Sequence, residues 1–312
     1  MVRVVALSTS RWLLIAGVLL GGLASSAASG ATSNGVIQAV GAENQYANVI
    51  AQVGGKYVHV EAVMSNPATD PHEFEASTSV AREIASARLI VQNGVGYDTF
   101  MHQLESASPN SSRKVVTVQT LLGLSSSTKN PHLWYEPTTM PRVAKAVAND
   151  LSAIDPTHAT YFAQRLGAFD ASMSTVTNDI RAFRAKFARD RVATTEPVAD
   201  YLLTSLGLKN STPFSFQADI MNGVDPSPED VSFQQDLFTT HAVKVFCYNA
   251  QVSSPVTVSL RDLATKSHVP VVAVYETMPT PGYDYQTWMI AEIDALTKAI
   301  EHDHSTTSLV KK

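Results

Sequence analysis

Cysteine is nearly absent: the 312 residues contain one, Cys247. A single thiol cannot form an intramolecular disulfide. No cysteine follows the N-terminal apolar run, which argues against a lipid-anchored lipoprotein. Cys247 itself lies in the apolar run Lys244-Val245-Phe246-Cys247-Tyr248, where a small buried core residue is the expectation and a nucleophile is not. A positive charge excess is also missing. The chain has 23 Lys and Arg against 28 Asp and Glu, and residues 1–30 hold two of the arginines and no acid. Without them the balance is 21 against 28, a net of −7, which speaks against nucleic acid or an anionic membrane surface as partner. His-Glu-x-x-His and Gly-x-Ser-x-Gly motifs do not occur, nor do internal repeats.

The sequence begins with a sparse basic stretch, Arg3 and Arg11. An apolar run from Trp12 to Leu23 and a small-residue tract ending at Gly30 follow. That layout predicts a secretory signal peptide over residues 1–30, its apolar part too short to span a bilayer comfortably. An uncleaved anchor is the rival reading. The remaining residues, about 280, suffice for a large core and suggest two domains.

Apolar β-type runs occur at 57–64, 88–92, 114–119, 191–195, 243–249 and 269–275. Stretches of helical character alternate with them, among them 77–87, 140–154, 197–206 and 255–266, so parallel sheets covered by helices are expected. The middle of the chain breaks this rhythm. Asp155 and Pro156 form a helix start. Phe162, Leu166, Phe169, Met173, Val176, Ile180, Phe183 and Phe187 then follow at strictly alternating steps of four and three residues. One amphipathic helix to about Arg189 is expected, roughly 50 Å long at ~1.5 Å per residue. A coiled-coil dimer would use the same seam. Equivalent α/β patterns on both sides favour an α/β fold of two lobes with parallel sheets, joined by this one backbone helix. The expected division is 31–154, 155–189 and 190–312.

Four short segments carry ligand chemistry. Asp70-Pro71-His72-Glu73-Phe74-Glu75 and Asn130-Pro131-His132-Leu133-Trp134 each place a proline before a histidine, stiffening the backbone that presents the ring. Glu196, in Thr194-Thr195-Glu196-Pro197, and Glu276, after Val271-Val272-Ala273-Val274-Tyr275, each follow an apolar strand. Ligands of open α/β sheets bind beyond such strand ends. Each acid could equally favour a helix N-terminus.

These segments, with Asn93-Gly94-Val95-Gly96-Tyr97 and Thr195-Glu196-Pro197-Val198-Ala199-Asp200-Tyr201, make the chain resemble the metal-ion substrate-binding proteins of zinc and manganese ABC importers. The resemblance runs from Gly41 to the last helix. It implies two α/β lobes on one backbone helix with a metal ion between them, and it matches His72, His132 and Glu196 to ligand positions. The fourth ligand departs from the pattern. Asp284, in Gly282-Tyr283-Asp284-Tyr285-Gln286, is displaced by one residue from the expected acid, and Glu276 competes with it and is favoured. The histidine-rich loop of zinc-specific members is missing between Leu124 and His132.

The expected function is capture of Zn²⁺ or Mn²⁺ outside the cytoplasmic membrane, in the periplasm or secreted, by a monomer that delivers the ion to a membrane permease. Two histidines with carboxylates also describe catalytic metal sites, so a metallohydrolase is the rival from another class. Four protein ligands would leave no open position for water. An adhesin on the same fold is a third reading.

Overall fold

The computed structural model describes residues 35–66, 74 and 77–310. The expected signal segment and His72 lie outside them. The first sheet consists of β1 (Ile37–Glu43), β2 (Val58–Met64), β3 (Leu89–Gln92) and β4 (Lys114–Thr117), all parallel in the order β2-β1-β3-β4. Its helices are α1 (Asn44–Gly54), α2 (Thr78–Ser86), α3 (Thr99–Ala107), α4 (Val118–Leu121) and α5 (Thr139–Ile154). A 3₁₀ turn, Pro156–His158, leads into the long helix α6 (Ala159–Phe187).

The second sheet repeats the first in topology. Strands β5 (Arg191–Thr194), β6 (Lys209–Asn210), β7 (Val245–Asn249) and β8 (Val271–Val274) run parallel in the order β6-β5-β7-β8. Around it lie α7 (Asp200–Ser205), α8 (Phe214–Met221), α9 (Pro228–Thr239), α10 (Pro255–Lys266) and α11 (Tyr285–His302).

The long helix starts later than the sequence suggests. Asp155 does cap, its carboxylate accepting from the Thr157 N–H, but the first turn is wound as 3₁₀ and α-helix begins at Ala159. Along α6 the four-three steps become one packed stripe. Phe162, Phe169, Met173, Val176 and Phe183 are buried, and Leu166, Ile180 and Phe187 pack partly buried against the same core. At ~1.5 Å per residue its 29 residues span roughly 44 Å.

Two strands escaped the sequence reading. β1 is the run Ile37-Gln38-Ala39-Val40-Gly41-Ala42-Glu43, poor in β-branched residues, yet it holds an interior position between β2 and β3. Small residues suit it because α1 turns back closely: a Cβ on Gly41 would lie 2.3 Å from the Ala47 nitrogen. β6 has only two residues and no pattern to read. Alternation along β1 divides the interior. Ile37 and Ala39 face the main core with α1, α5 and α6, whereas Val40 and Ala42 face a smaller core under α2 and α3. The main core also takes in Val192, Val245, Cys247 and Val272 of the second sheet, with Trp288 and Ile293 of α11.

Polar groups tie α11 into this interior. Glu292 is 1% exposed, and its Oε1 accepts from Trp288 Nε1 and lies 3.1 Å from the Tyr135 hydroxyl, which also touches the Tyr275 carbonyl at 2.9 Å. Burial pushes the Glu292 carboxyl up to about 8, against the pull of Tyr135 and Trp288. The folded chain therefore holds a proton that the unfolded chain has released. This contribution is complete below the ordinary carboxylate range and is lost as pH rises to about 8. Stability should fall by up to ~1.4 kcal/mol per pH unit in that window. Thermal melts from pH 6 to pH 9 should show the decline in the native chain and a flatter profile in Glu292→Gln, which keeps a neutral side chain of the same shape.

Candidate metal centre

Asn130-Pro131-His132 enters a 3₁₀ turn, Leu133–Tyr135, and the His132 side chain is fully buried. Asn130 orients it. The Asn130 amide donates through Nδ2 to the Pro197 carbonyl at 2.7 Å, while Oδ1 accepts the His132 N–H at 3.0 Å and faces ring Nδ1 at 2.8 Å. The short contact to Asn130 Oδ1 favours the proton on Nδ1, the tautomer that leaves Nε2 a lone pair. Nε2 has no hydrogen-bond partner among the described residues and stands 3.4 Å from Glu276 Oε2.

Glu276 follows β8 by two residues and is fully buried. Its backbone is clamped: the N–H donates to Gln251 Oε1 at 2.7 Å, and the carbonyl accepts from Gln45 Nε2 at 3.1 Å. Oε2 accepts from the Tyr97 hydroxyl at 2.8 Å and Oε1 from Asn249 Nδ2 at 2.6 Å. The same Asn249 amide donates to Glu196 Oε1 at 3.1 Å. Glu196, 2% exposed, lies two residues beyond β5, and Asn249 ends the neighbouring β7. Asn249 thus holds two acids from different strand ends in one place.

Of the sequence-derived residues, the structure brings His132, Glu196 and Glu276 into this buried network. Asp284 stands apart from it chemically. It is exposed and caps α11, its Oδ1 accepting the Thr287 N–H at 2.8 Å while Thr287 Oγ1 accepts the Asp284 N–H at 3.0 Å. Asn249 and Tyr97 were missed. Tyr97 sits in a motif noted above, but nothing local marks a lone Asn at a strand end. Burial raises the Tyr97 hydroxyl pKa well above its usual value, with the charges of Glu276 and Glu43 adding to the effect.

Among the described residues, no three His, Cys, Asp or Glu side chains are spaced to hold a metal. His132, Glu196 and Glu276, linked through Asn249 and the His132–Glu276 contact, offer one nitrogen and carboxylate oxygens, the donor types that divalent transition metals take. A cavity of about 450 Å³, lined by Gly96, Tyr97, Lys129, Pro131, Phe214 and Met221, adjoins Tyr97 and the His132 loop. Among the described residues no helix is long and apolar enough to cross a membrane.

Known proteins share this architecture. The family model described as ZnuA, zinc-uptake complex component A periplasmic, matches residues 40–299. The metal ABC transporter substrate-binding lipoprotein FimA of Streptococcus parasanguinis is 21% identical over 275 residues, covering 83% of this chain and 86% of that protein. The manganese ABC transporter substrate-binding lipoprotein PsaA of Streptococcus pneumoniae is 22% identical over 276 residues, with the same coverage of 83% and 86%. Among solved structures, the periplasmic zinc-binding protein TroA of Treponema pallidum shares the fold. Its TM-score is 0.71 at 20% identity, over 84% of this chain and 98% of that one. With 40–299 matched to the family model, the chain belongs to the periplasmic zinc-uptake complex component A family, metal-ion-binding proteins of ABC importers rather than enzymes.

Proposed function

We propose that this chain captures Zn²⁺ or Mn²⁺ with His72, His132, Glu196 and Glu276 and, as a monomer, hands the ion to a membrane permease. In this reading segments 31–154 and 190–312 are the two halves of a clamp and 155–189 is its spine. The observation that carries it is the buried His132 Nε2 lone pair, 3.4 Å from Glu276 Oε2, with Asn249 linking Glu276 to Glu196. Family membership supports an extracytoplasmic location. An unlipidated form is part of the proposal, since the one cysteine is buried in β7. Asp284 is assigned to capping. Mixed nitrogen and oxygen donors accept either ion, and Zn²⁺ has the stronger intrinsic affinity.

The test is elemental analysis of protein purified without added metal, followed by Zn²⁺ and Mn²⁺ titrations at several pH values. Coordination requires a neutral imidazole, so protons compete with the metal and affinity should fall steadily from pH 8 to pH 5. Failure to bind either ion would overturn the reading, and a flat profile would remove the histidines from the ligand set.

A further inference from the structure

Glu43 is fully buried, and neither of its carboxylate oxygens has a hydrogen-bond partner among the described residues. No ion pair among them involves it either. Buried charges need a partner, because an uncompensated carboxylate in a low-dielectric interior costs several kcal/mol or gives way to the neutral acid. Burial, and then the charge of Asp98, hold the Glu43 carboxyl well above the usual range.

Topology says where Glu43 belongs. In both sheets the chain moves outward from one interior strand and then returns to the other side of it, so the strand order reverses between β1 and β3 and between β5 and β7. Ligands of open α/β sheets bind beyond the strand ends at that reversal. In the second sheet these ends supply Glu196 and Asn249. The corresponding ends of the first sheet supply Glu43, the last residue of β1, and Asn93, which follows β3. The residues after Glu43 fasten this end of the sheet to the segment carrying Glu276. Asn44 exchanges two 2.8 Å hydrogen bonds with the Met278 backbone, and Gln45 donates to the Glu276 carbonyl. Tyr97, which donates to Glu276, lies within reach of the Glu43 charge. Glu43 also pairs in register with Met64, the last residue of β2.

We infer that Glu43 is a further oxygen donor of the metal site, placed by the first sheet as Glu196 is placed by the second, and that it biases the site toward Mn²⁺. This rests on the metal-capture reading. The Glu43 carboxyl and His132 Nε2 are both buried and both lack a hydrogen bond among the described residues, the state expected of donors kept for a cation. A third carboxylate adds a hard ligand and a higher coordination number, which suit Mn²⁺, whereas Zn²⁺ is content with four ligands.

The test compares Mn²⁺ and Zn²⁺ affinities of the whole chain with those of Glu43→Gln, which keeps the shape, and Glu43→Asp, which keeps the charge but withdraws it by one methylene. Both variants should lose at least tenfold in Mn²⁺ affinity and less than threefold in Zn²⁺ affinity. Glu43→Gln should melt no lower than the parent without metal, since it removes a buried ionisable group; if it does not fold, Glu43→Asp carries the test. Unchanged Mn²⁺ affinity, or equal losses for both ions, would overturn the inference while leaving metal capture intact. A parent chain that binds neither ion would overturn both.

Discussion

Replacing Glu276 with alanine is expected to weaken metal binding by at least tenfold, a loss of ~1.4 kcal/mol or more. The backbone of Glu276 is clamped by Gln251 and Gln45, so its carboxylate is delivered to the His132 ring with little freedom left to lose. Alanine also removes the carboxylate that accepts from the Tyr97 hydroxyl and one of the two acceptors of the Asn249 amide, an added stability cost of about 1–3 kcal/mol. Glu276→Gln retains an acceptor and separates the two effects: affinity should fall while most of the stability returns. Asp284→Ala should behave in the opposite way. Losing its cap on α11 costs ~1 kcal/mol of stability, and affinity should stay within about threefold of the parent. Isothermal titration with Mn²⁺ and Zn²⁺ beside thermal melts of the metal-free variants reads both quantities. A strong affinity loss in Asp284→Ala with none in Glu276→Ala would exchange the two assignments.

The second large effect is on stability. A ligand that binds only the folded chain stabilises it by about 4 kcal/mol when its concentration is a thousandfold above the dissociation constant. For a chain of this size that corresponds to a rise in melting temperature on the order of 10 °C. The proposed donors come from both halves of the chain, the histidines from before α6 and the acids from strand ends after it, so unfolding either half would disperse them. Melts in chelator and in saturating Zn²⁺ or Mn²⁺ should differ by this amount, and superimposed curves would contradict metal capture.

Much of the architecture is legible in the sequence alone. The four-three spacing from Phe162 to Phe187 reads as one helix because both steps return to the same face of a 3.6-residue period. The apolar runs ending at Gln92, Asn249 and Tyr275 read as strands because strands covered on both faces stay apolar throughout. Pro255–Lys266 was bounded correctly at both ends, with Ser254 forming a capping box ahead of Pro255. β1 was not legible. Its Ala and Gly content answers to the closeness of α1, a demand that arises only when the helix is folded back on the strand.

The candidate site divides along the same line. A Pro-His loop and an acid after a buried strand are local patterns, so His132, Glu196 and Glu276 could be picked out one by one. The choice between Glu276 and Asp284 was not local, since both follow the last strand and precede the last helix. It turns on which carboxyl is buried against Tyr97 and Asn249 and which is exposed and bonded to its own helix start. Asn249 and Glu43 lie even further from local reading. The sequence by itself determined the period of each element and the kinds of donor that strand ends and stiff loops would offer. Only the tertiary structure decided which strand ends meet, because hydrophobic periodicity specifies a buried face but not its partner. That meeting turns an ordinary Asn into a bridge between two acids and leaves one glutamate buried without a hydrogen bond.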